Sequence, residues 1–211
     1  MTISNPSPLA STCVQDAGTR SCIQRELPPN TSAETYFWYP MYVKYRKELS
    51  VQQELESNEF RTFIPMESFE VKRGSKVCTE QRPAVHNMIF VYSYQKRITW
   101  MKMYSRLCEP LQYMSRPFLD GTTKILTIPQ RVMENFIRAA TLDDPLGQRS
   151  YLERPIDITD VDRSIKFVSG SFKGVEGILK RVDKNRAMIL PLANGVNMKI
   201  TITHASDIEF L

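Results

Sequence analysis

The sequence predicts an α+β protein in which an α/β sandwich is followed by a small β-barrel. Between residues 36 and 140, apolar segments suited to strands and to helices follow one another in the order βαββαβα. Residues 156–211 hold five short strand-like runs separated by turn residues, a pattern typical of a small barrel. The stretch between them, residues 141–155, is rich in Asp, Pro and Gly and is typical of a linker.

A tail is expected before the first domain. Residues 1–35 are rich in Ser, Thr, Pro and Asn and contain few large apolar side chains, which predicts a flexible segment. The N-terminus lacks a basic segment followed by an apolar one, and no apolar run approaches the length needed to cross a bilayer. We therefore expect a cytoplasmic protein with no membrane partner.

The elements of the first domain follow from the periodicity of its apolar residues. Strands are expected at 38–45, 60–69 and 85–92, and helices at 48–58 and after residue 127. The segment 98–107 fits either a helix or a strand. The clearest helix follows Thr127, which has capping-box spacing to Gln130. Its apolar stripe consists of Met133, Phe136, Ile137 and Ala140.

Charge is unevenly distributed along the chain. The net charge is +5 and the sequence pI is about 9.0. Between residues 36 and 155 there are 18 Lys and Arg against 13 Asp and Glu, whereas residues 156–211 carry 8 against 7. Contact with phosphate is therefore expected in the first domain rather than in the second.

The residue types that would build a catalytic or metal site are scattered. The four cysteines lack the CxxC spacing of a zinc site, and His86 and His204 are far apart in sequence. Neither a phosphate-cradling glycine loop with a lysine nor a convergent set of catalytic groups can be recognised. We expect reduced thiols, no metal, no cofactor and no enzymatic activity.

A glycine-rich segment of the second domain reads Val-Ser-Gly-Ser-Phe-Lys-Gly-Val-Glu-Gly-Ile-Leu. Gly170 and Gly174 suit a tight turn with positive φ, and Gly177 would let two backbones approach closely. Phe172 is expected to close one end of the barrel. Together with Ile178, these residues resemble the KOW motif of SH3-like barrels, which occurs in NusG-type transcription factors and in some ribosomal proteins.

The first domain carries further features in the order in which that family has them. They are Trp38-Tyr39, Phe63-Ile64-Pro65-Met66, the Lys72-Arg73-Gly74 hairpin, and the third-strand sequence from Val85 to Val91. These features resemble the NusG N-terminal domain, more closely its RfaH-like paralogues, and most closely the UpxY-type factors of capsule loci. The resemblance implies a NusG N-terminal-type sandwich followed by a KOW barrel.

The resemblance also implies a transcription elongation and antitermination factor. Such a factor would bind the clamp helices of RNA polymerase and reduce pausing or termination at specific operons, such as those for polysaccharide biosynthesis. By position in the motif, the polymerase-binding residues would be Tyr42, Val85, Met88 and Phe90. These side chains are expected to form an uncovered apolar surface on the sheet.

Other partners are implied in the same way. Lys44, Arg46 and Lys47 fall where RfaH-like proteins contact the non-template DNA strand, although a solvated basic start of a helix explains them equally well. The barrels of NusG relatives bind ribosomal protein S10 or the termination factor Rho, so the second domain would carry such a contact. We expect a monomer.

The sequence departs from the family pattern at two points, and one alternative function fits the same motifs. Pro40 removes an N–H from a strand that the family places centrally, so a bulge or open pairing is expected there. The threonine-rich contact motif of RfaH is absent from the region around Trp100. The alternative is a KOW-containing RNA-binding or ribosome-associated protein, which would predict a strongly basic second domain.

Overall fold

The computed structural model describes residues 34–74, 76–117, 121–154, 156, 162–182, 185–192 and 195–211. The predicted tail and parts of two predicted turns, at 183–186 and 193–195, lie outside these residues. The α-helices are Glu48–Ser57 (α1), Gln95–Tyr104 (α2) and Gln130–Thr141 (α3). The strands are Phe37–Val43 (β1), Arg61–Phe63 (β2), Met66–Arg73 (β3), Lys76–Pro83 (β4), Met88–Ser93 (β5), Leu111–Tyr113 (β6), Ser115–Pro117 (β7), Thr123–Ile125 (β8), Arg149–Glu153 (β9), Ser164–Phe167 (β10), Glu176–Val182 (β11), Asn185–Pro191 (β12), Val196–Thr201 (β13) and Ile208–Phe210 (β14).

The first sheet is antiparallel, with the strand order β2-β5-β1-β6. Because neighbouring side chains of a strand point to opposite faces, this sheet buries residues on both sides. Met41 and Ile89 belong to a core cluster with residues of α1 and α2. Trp38 and Phe90 belong to another cluster with residues of α3. The expected α+β sandwich is confirmed, with α3 on the face opposite to α1 and α2.

Pro40 lies in the central strand without disturbing it. The register between β1 and β5 is continuous from Phe37↔Ser93 to Tyr42↔Met88, so there is no bulge on this side. The other expectation, an open pairing, fits the β6 side, where the ladder does not include Pro40. The carbonyl of Pro40 accepts a hydrogen bond from the Met114 N–H at 3.4 Å, on the β6 side. Since the ladder with β6 begins only at Met41, the missing N–H falls where no ladder bond is required.

The predicted second strand is divided into two. β2 pairs with β5, whereas β3 leaves the first sheet and pairs with β4 over eight positions, from Met66↔Pro83 to Arg73↔Lys76. The division falls at Ile64-Pro65, where the Pro65 carbonyl accepts a hydrogen bond from Ala84. The β3–β4 hairpin, named here the ribbon, forms a two-stranded sheet of its own among the described strands.

Helix α3 carries the predicted apolar stripe but not the predicted cap. Met133 and Phe136 are buried, as expected. The N-cap position is Pro129, and it forms no side-chain capping bond. Thr127 lies too early for a capping box because the adjacent Ile128 N–H donates to the Trp38 carbonyl and continues a strand-like pairing.

The second sheet is also antiparallel, with the strand order β14-β10-β11-β12-β13-β9. All five strands predicted for the second domain are present. Among the described residues no ladder joins β14 to β9, so the sheet is open and the predicted closed barrel is not confirmed. The sheet gains a sixth strand, β9, from the segment predicted to be a linker.

That linker prediction requires a correction, because residues 149–153 pair with β13. The Asp, Pro and Gly content of the segment belongs to a short turn rather than to a free connection. The Asp144 carboxylate accepts hydrogen bonds from the backbone N–H groups of Gln148 and Arg149 at 2.8 and 2.7 Å. Gly147 has φ of +61°. This turn leads the chain from α3 directly into the second sheet.

Phe136→Ala tests the role of α3 in this fold. Phe136 is buried, whereas Val132 on the same helix is exposed. We expect Phe136→Ala to lower the free energy of unfolding by about 3–5 kcal/mol, because a large cavity remains. Val132→Ala should lower it by less than about 1 kcal/mol. Urea titration of both variants checks this, and equal losses would contradict a central position of Phe136.

Candidate functional site

The expected apolar surface on the first sheet is largely covered. Val85, Met88 and Phe90 are 1%, 4% and 0% exposed, respectively. They share one cluster with Met133 and Phe136 of α3 and with residues of the second sheet. The prediction that these three side chains are uncovered is therefore wrong for this arrangement. The sequence shows an apolar strand but does not show what packs on it.

Tyr42 is the exception, with 39% of its surface exposed. It lies opposite Met88 in the register of β1 with β5. Strand alternation puts it on the same face as Trp38, which is the face that α3 covers. Tyr42 therefore marks the uncovered margin of that face and is accessible to a partner.

Phe136 connects the first sheet to the second. Its ring centroid lies 5.9 Å from that of Phe90, 6.2 Å from that of Phe63, and 6.3 Å from that of Tyr151 in β9. Burial raises the pKa of the Tyr151 phenol to about 12. One helix thus carries an apolar side chain in contact with both sheets.

A polar seam runs beside this apolar contact. The Asn135 side chain pairs with the backbone of Glu176 in β11, donating to its carbonyl at 2.6 Å and accepting from its N–H at 3.1 Å. The Glu176 carboxylate accepts from Arg131 at 3.0 Å and from Lys166 at 3.2 Å. These two hydrogen bonds hold the pKa of the Glu176 carboxyl below its ordinary value of 4.5.

The other end of α3 is tied to β9. The Arg149 guanidinium donates to the carbonyls of Ala139 and Leu142 at 2.8 and 2.9 Å. A cation at this position also complements the negative end of the helix dipole. Next to Val85, the His86 N–H donates to the Glu153 carboxylate at 3.3 Å. The second sheet is thus held against both α3 and the start of β5.

The basic residues expected to contact nucleic acid lie on an exposed turn. Lys44, Arg46 and Lys47 are all exposed, between β1 and α1. Arg46 has φ of +52° and lines a cleft of about 490 Å³ together with Arg82 and His86. Sequence reasoning missed Arg82 and His86 as neighbours of Arg46. These two residues come near Arg46 because the second strand of the ribbon, β4, ends at Pro83 beside the first sheet.

An aromatic cleft lies on the α2 side of the first sheet. It has a volume of about 740 Å³, and Phe37, Trp100 and Tyr104 are among its lining residues. Trp100 packs partly against the core, with its ring centroid 5.0 Å from that of Tyr104. Trp100 is therefore chiefly a packing residue with one accessible edge.

The glycine-rich turn of the second sheet has the geometry expected of it. Gly170 and Gly174 have φ of +75° and +88°, and Phe172 is buried. A Cβ on Gly177 would lie 2.5 Å from Met188 Cγ and 2.8 Å from the Ile189 carbonyl oxygen. Ile178 pairs with Ile189 in the neighbouring strand β12. The motif thus serves close strand packing.

The described residues contain no group of three or more His, Cys, Asp or Glu placed to hold a metal ion. Cys78 is exposed, and Cys108 is buried with its pKa raised to about 11 by desolvation. Among the described helices, none combines the length and apolar character required to cross a membrane.

The first domain thus presents an exposed tyrosine beside a covered apolar face, and a cleft lined by Arg46, Arg82 and His86. Residues 36–137 match the family described as "Transcription termination factor nusG". This match runs from β1 through most of α3, so it shows that the first domain is similar to the NusG family. NusG-family proteins generally bind RNA polymerase. No curated protein matches the chain.

Asn135→Ala tests the seam between α3 and the second sheet. The variant removes both bonds to Glu176, so the Glu176 N–H should exchange with solvent at least about fivefold faster. Glu134→Ala changes the neighbouring residue, whose side chain bonds only within α3 in the described residues, and should leave this exchange unchanged. Hydrogen–deuterium exchange measures both. Undisturbed exchange in Asn135→Ala would show that the seam does not hold the sheet.

Glu176 predicts a pH dependence of stability. Because its folded-state pKa is lowered, the stabilisation is complete above the ordinary carboxyl pKa and is lost as pH falls through the lowered one. Glu176→Gln should therefore lower the Tm by more at about pH 7 than at about pH 3. Thermal unfolding at both pH values checks this, with Glu134→Gln as the control. A Tm difference that is equally large at both pH values would contradict the assignment.

Proposed function

We propose that this protein is a two-domain elongation factor of the NusG type that binds RNA polymerase through its first domain. The observation that carries this proposal is the family match over residues 36–137. The factor reduces pausing or termination at specific operons, such as those for polysaccharide synthesis, as expected from its likeness to UpxY-type paralogues. It acts in the cytoplasm by binding alone and shifts the polymerase between states, so no bond is made or broken.

The proposed clamp-helix surface centres on Tyr42. Aromatic side chains that are half exposed at the margin of an apolar face are favoured in protein interfaces. Val85 and Met88 would join this surface only after the second sheet moves away from α3 and β5, whereas Phe90 also contacts Phe136 of α3 and stays covered while α3 is in place. Displacing the second sheet is a smaller rearrangement than displacing α3, whose removal would open the core of the first domain.

The basic turn supplies the proposed contact with the non-template DNA strand. Lys44, Arg46 and Lys47 are exposed cations, and Arg82, which pairs with Glu80 at 2.8 Å, adds a guanidinium to a cleft that Glu48 also lines. Such a cluster pairs with phosphates without reading the base sequence. A strand bound there would lie beside Tyr42, two residues from Lys44 in the chain.

The second domain is proposed to be the KOW module that contacts ribosomal protein S10 or Rho. Its glycine turn and close strand packing at Gly177 support this relationship. In the present arrangement its apolar side chains Phe172 and Met188 are buried in the cluster shared with α3. The factor is proposed to be a monomer in which this module must separate before it takes a second partner.

Tyr42→Ala tests the polymerase-binding surface. Removing an interfacial aromatic should weaken binding to purified RNA polymerase by about tenfold or more. Met88→Glu is unsuitable because it would place a carboxylate in the core and confound folding with binding. Tyr104→Ala is the matched control, since Tyr104 is an exposed tyrosine on α2, on the opposite side of the sheet. Affinity is measured by titration of labelled protein with the enzyme.

Two outcomes would count against the proposal. Equal affinity of Tyr42→Ala and wild type would remove Tyr42 from the interface. Recovery of ribosomal subunits without polymerase, from a lysate at moderate salt, would favour the ribosome-associated alternative. A further arm uses Asn135→Ala, which loosens the second sheet and should raise polymerase affinity if Val85 and Met88 take part.

A further inference from the structure

The aromatic cleft beside α2 is a second surface suited to binding. Its lining includes Phe37, Trp100, Met103 and Tyr104. Phe37, Met103 and Tyr104 are 40%, 74% and 49% exposed, respectively. Large apolar side chains that gather in one concave region mark a site that another group covers. The proposed polymerase surface around Tyr42 leaves this cleft unused, because it lies on the other face of the first sheet.

The described part of the chain starts in the lining of this cleft. Glu34 and Thr35 are among the lining residues. The ring centroid of Tyr36, the next residue, lies 5.7 Å from that of Tyr92 and 5.4 Å from that of Tyr94. These aromatic contacts fix the chain at the cleft. Residues 1–33 therefore join the rest of the protein directly beside an aromatic surface.

The Glu34 carboxylate lacks one of the hydrogen bonds that its burial requires. Its Oε1 atom lies 2.8 Å from the Lys96 ammonium. Its Oε2 atom is buried and accepts no hydrogen bond from the part of the chain that the structure describes. Because a buried carboxylate oxygen needs a donor, an N–H group from an occupant of the cleft is expected at this oxygen.

A proline-rich piece of sequence lies a short distance before Glu34. Leu27, Pro28 and Pro29, named here the proline segment, precede Glu34 by five to seven residues. Five residues span at most about 18 Å, so the segment stays within reach of the cleft. Proline-rich segments adopt the polyproline II conformation and dock in grooves lined by aromatic side chains. Residues 30–33 include no proline, so each has an N–H group that can donate to Glu34 Oε2.

We propose that the proline segment occupies the aromatic cleft of its own molecule, with N–H groups of residues 30–33 donating to the Glu34 carboxylate. Covalent attachment gives the segment an effective concentration of about 1 mM, so a Kd as weak as about 0.1 mM fills roughly nine-tenths of the clefts. A nucleic-acid strand suits the cleft less well, because Lys96, the one cation among its described lining residues, is already paired with Glu34. The α2 face of the free protein is thus covered by its own chain.

Tryptophan fluorescence of the full chain tests this proposal. The sequence has two tryptophans, of which Trp38 is buried and Trp100 lines the cleft. Leu27→Ser/Pro28→Ser/Pro29→Ser should empty the cleft and increase the quenching of Trp100 by acrylamide about twofold or more. Trp38 stays unquenched in a folded first domain, so the same titration reports whether the variant is folded.

A matched control changes the same residue types farther from the cleft. Pro6→Ser/Pro8→Ser/Leu9→Ser replaces two prolines and one leucine that precede Glu34 by at least 25 residues, and its quenching should equal that of the wild type. A synthetic peptide of residues 24–33, added at about 1 mM, should restore the protection of Trp100 in the proline-segment variant. The same peptide with serine at all three positions of the proline segment should not.

Three results would overturn the proposal. The first is equal quenching of the wild type and the proline-segment variant, and the second is an equal increase in the control. The third is protection of Trp100 that falls when the wild type is diluted from about 50 to about 1 µM, because only contact between copies depends on concentration in this way. That result would assign the cleft to a second copy of the chain. Since no polymerase is present, none of these results bears on the Tyr42 surface.

Discussion

The contact of Phe136 with aromatic rings on both of its sides holds the two sheets of this protein together. Its ring meets Phe90 in the first sheet and Tyr151 in the second, at centroid distances of 5.9 and 6.3 Å. Burying one phenylalanine contributes about 1.5–3 kcal/mol, which is large beside the modest stability of a small β-domain. The second sheet therefore depends on α3 for part of its core. The same contact covers the strand face that resembles a polymerase-binding surface.

Beside Phe136, the contact between α3 and the second sheet is made by polar groups, unlike the interior of an ordinary domain. Asn135 and Glu176 exchange two hydrogen bonds, and water can replace them when the sheets separate. The ion pairs of Glu176 with Arg131 and Lys166 are partly exposed and contribute little net stability. Separation therefore costs mainly the apolar contacts around Phe136. A partner that supplies an apolar surface of its own would offset that cost, so binding and opening are coupled.

Two arginines from distant parts of the first domain line one cleft. Arg46 lies in the turn between β1 and α1, and Arg82 lies at the base of the ribbon. The fold brings them into one cleft because β4 returns beside the start of β5. Tyr42, at the margin of the covered apolar face, precedes this turn by two residues.

The sequence by itself determined the type of most elements, but it left residues 98–107 open between helix and strand and did not predict β9. Apolar periodicity placed α3 and the five strands of the second domain, because burial selects side chains with the same period as the backbone. The glycine turn was also readable, since positive φ at Gly170 and Gly174 and the close approach at Gly177 each demand glycine. In the candidate site, Tyr42, Lys44, Arg46 and Lys47 are exposed, and their roles as contact residues stay predictions.

Only the tertiary structure decided which apolar strand faces are covered. Val85, Met88 and Phe90 have the same sequence pattern whether a partner or the chain's own helix packs on them, because apolar burial is non-directional. Three further features depend on pairings between distant segments. Residues 149–153 join the second sheet, Pro40 lies where no ladder bond is required, and Arg46 and Arg82 line one cleft. Local patterns carry no information about such pairings, since register and neighbours are fixed only when the whole sheet assembles.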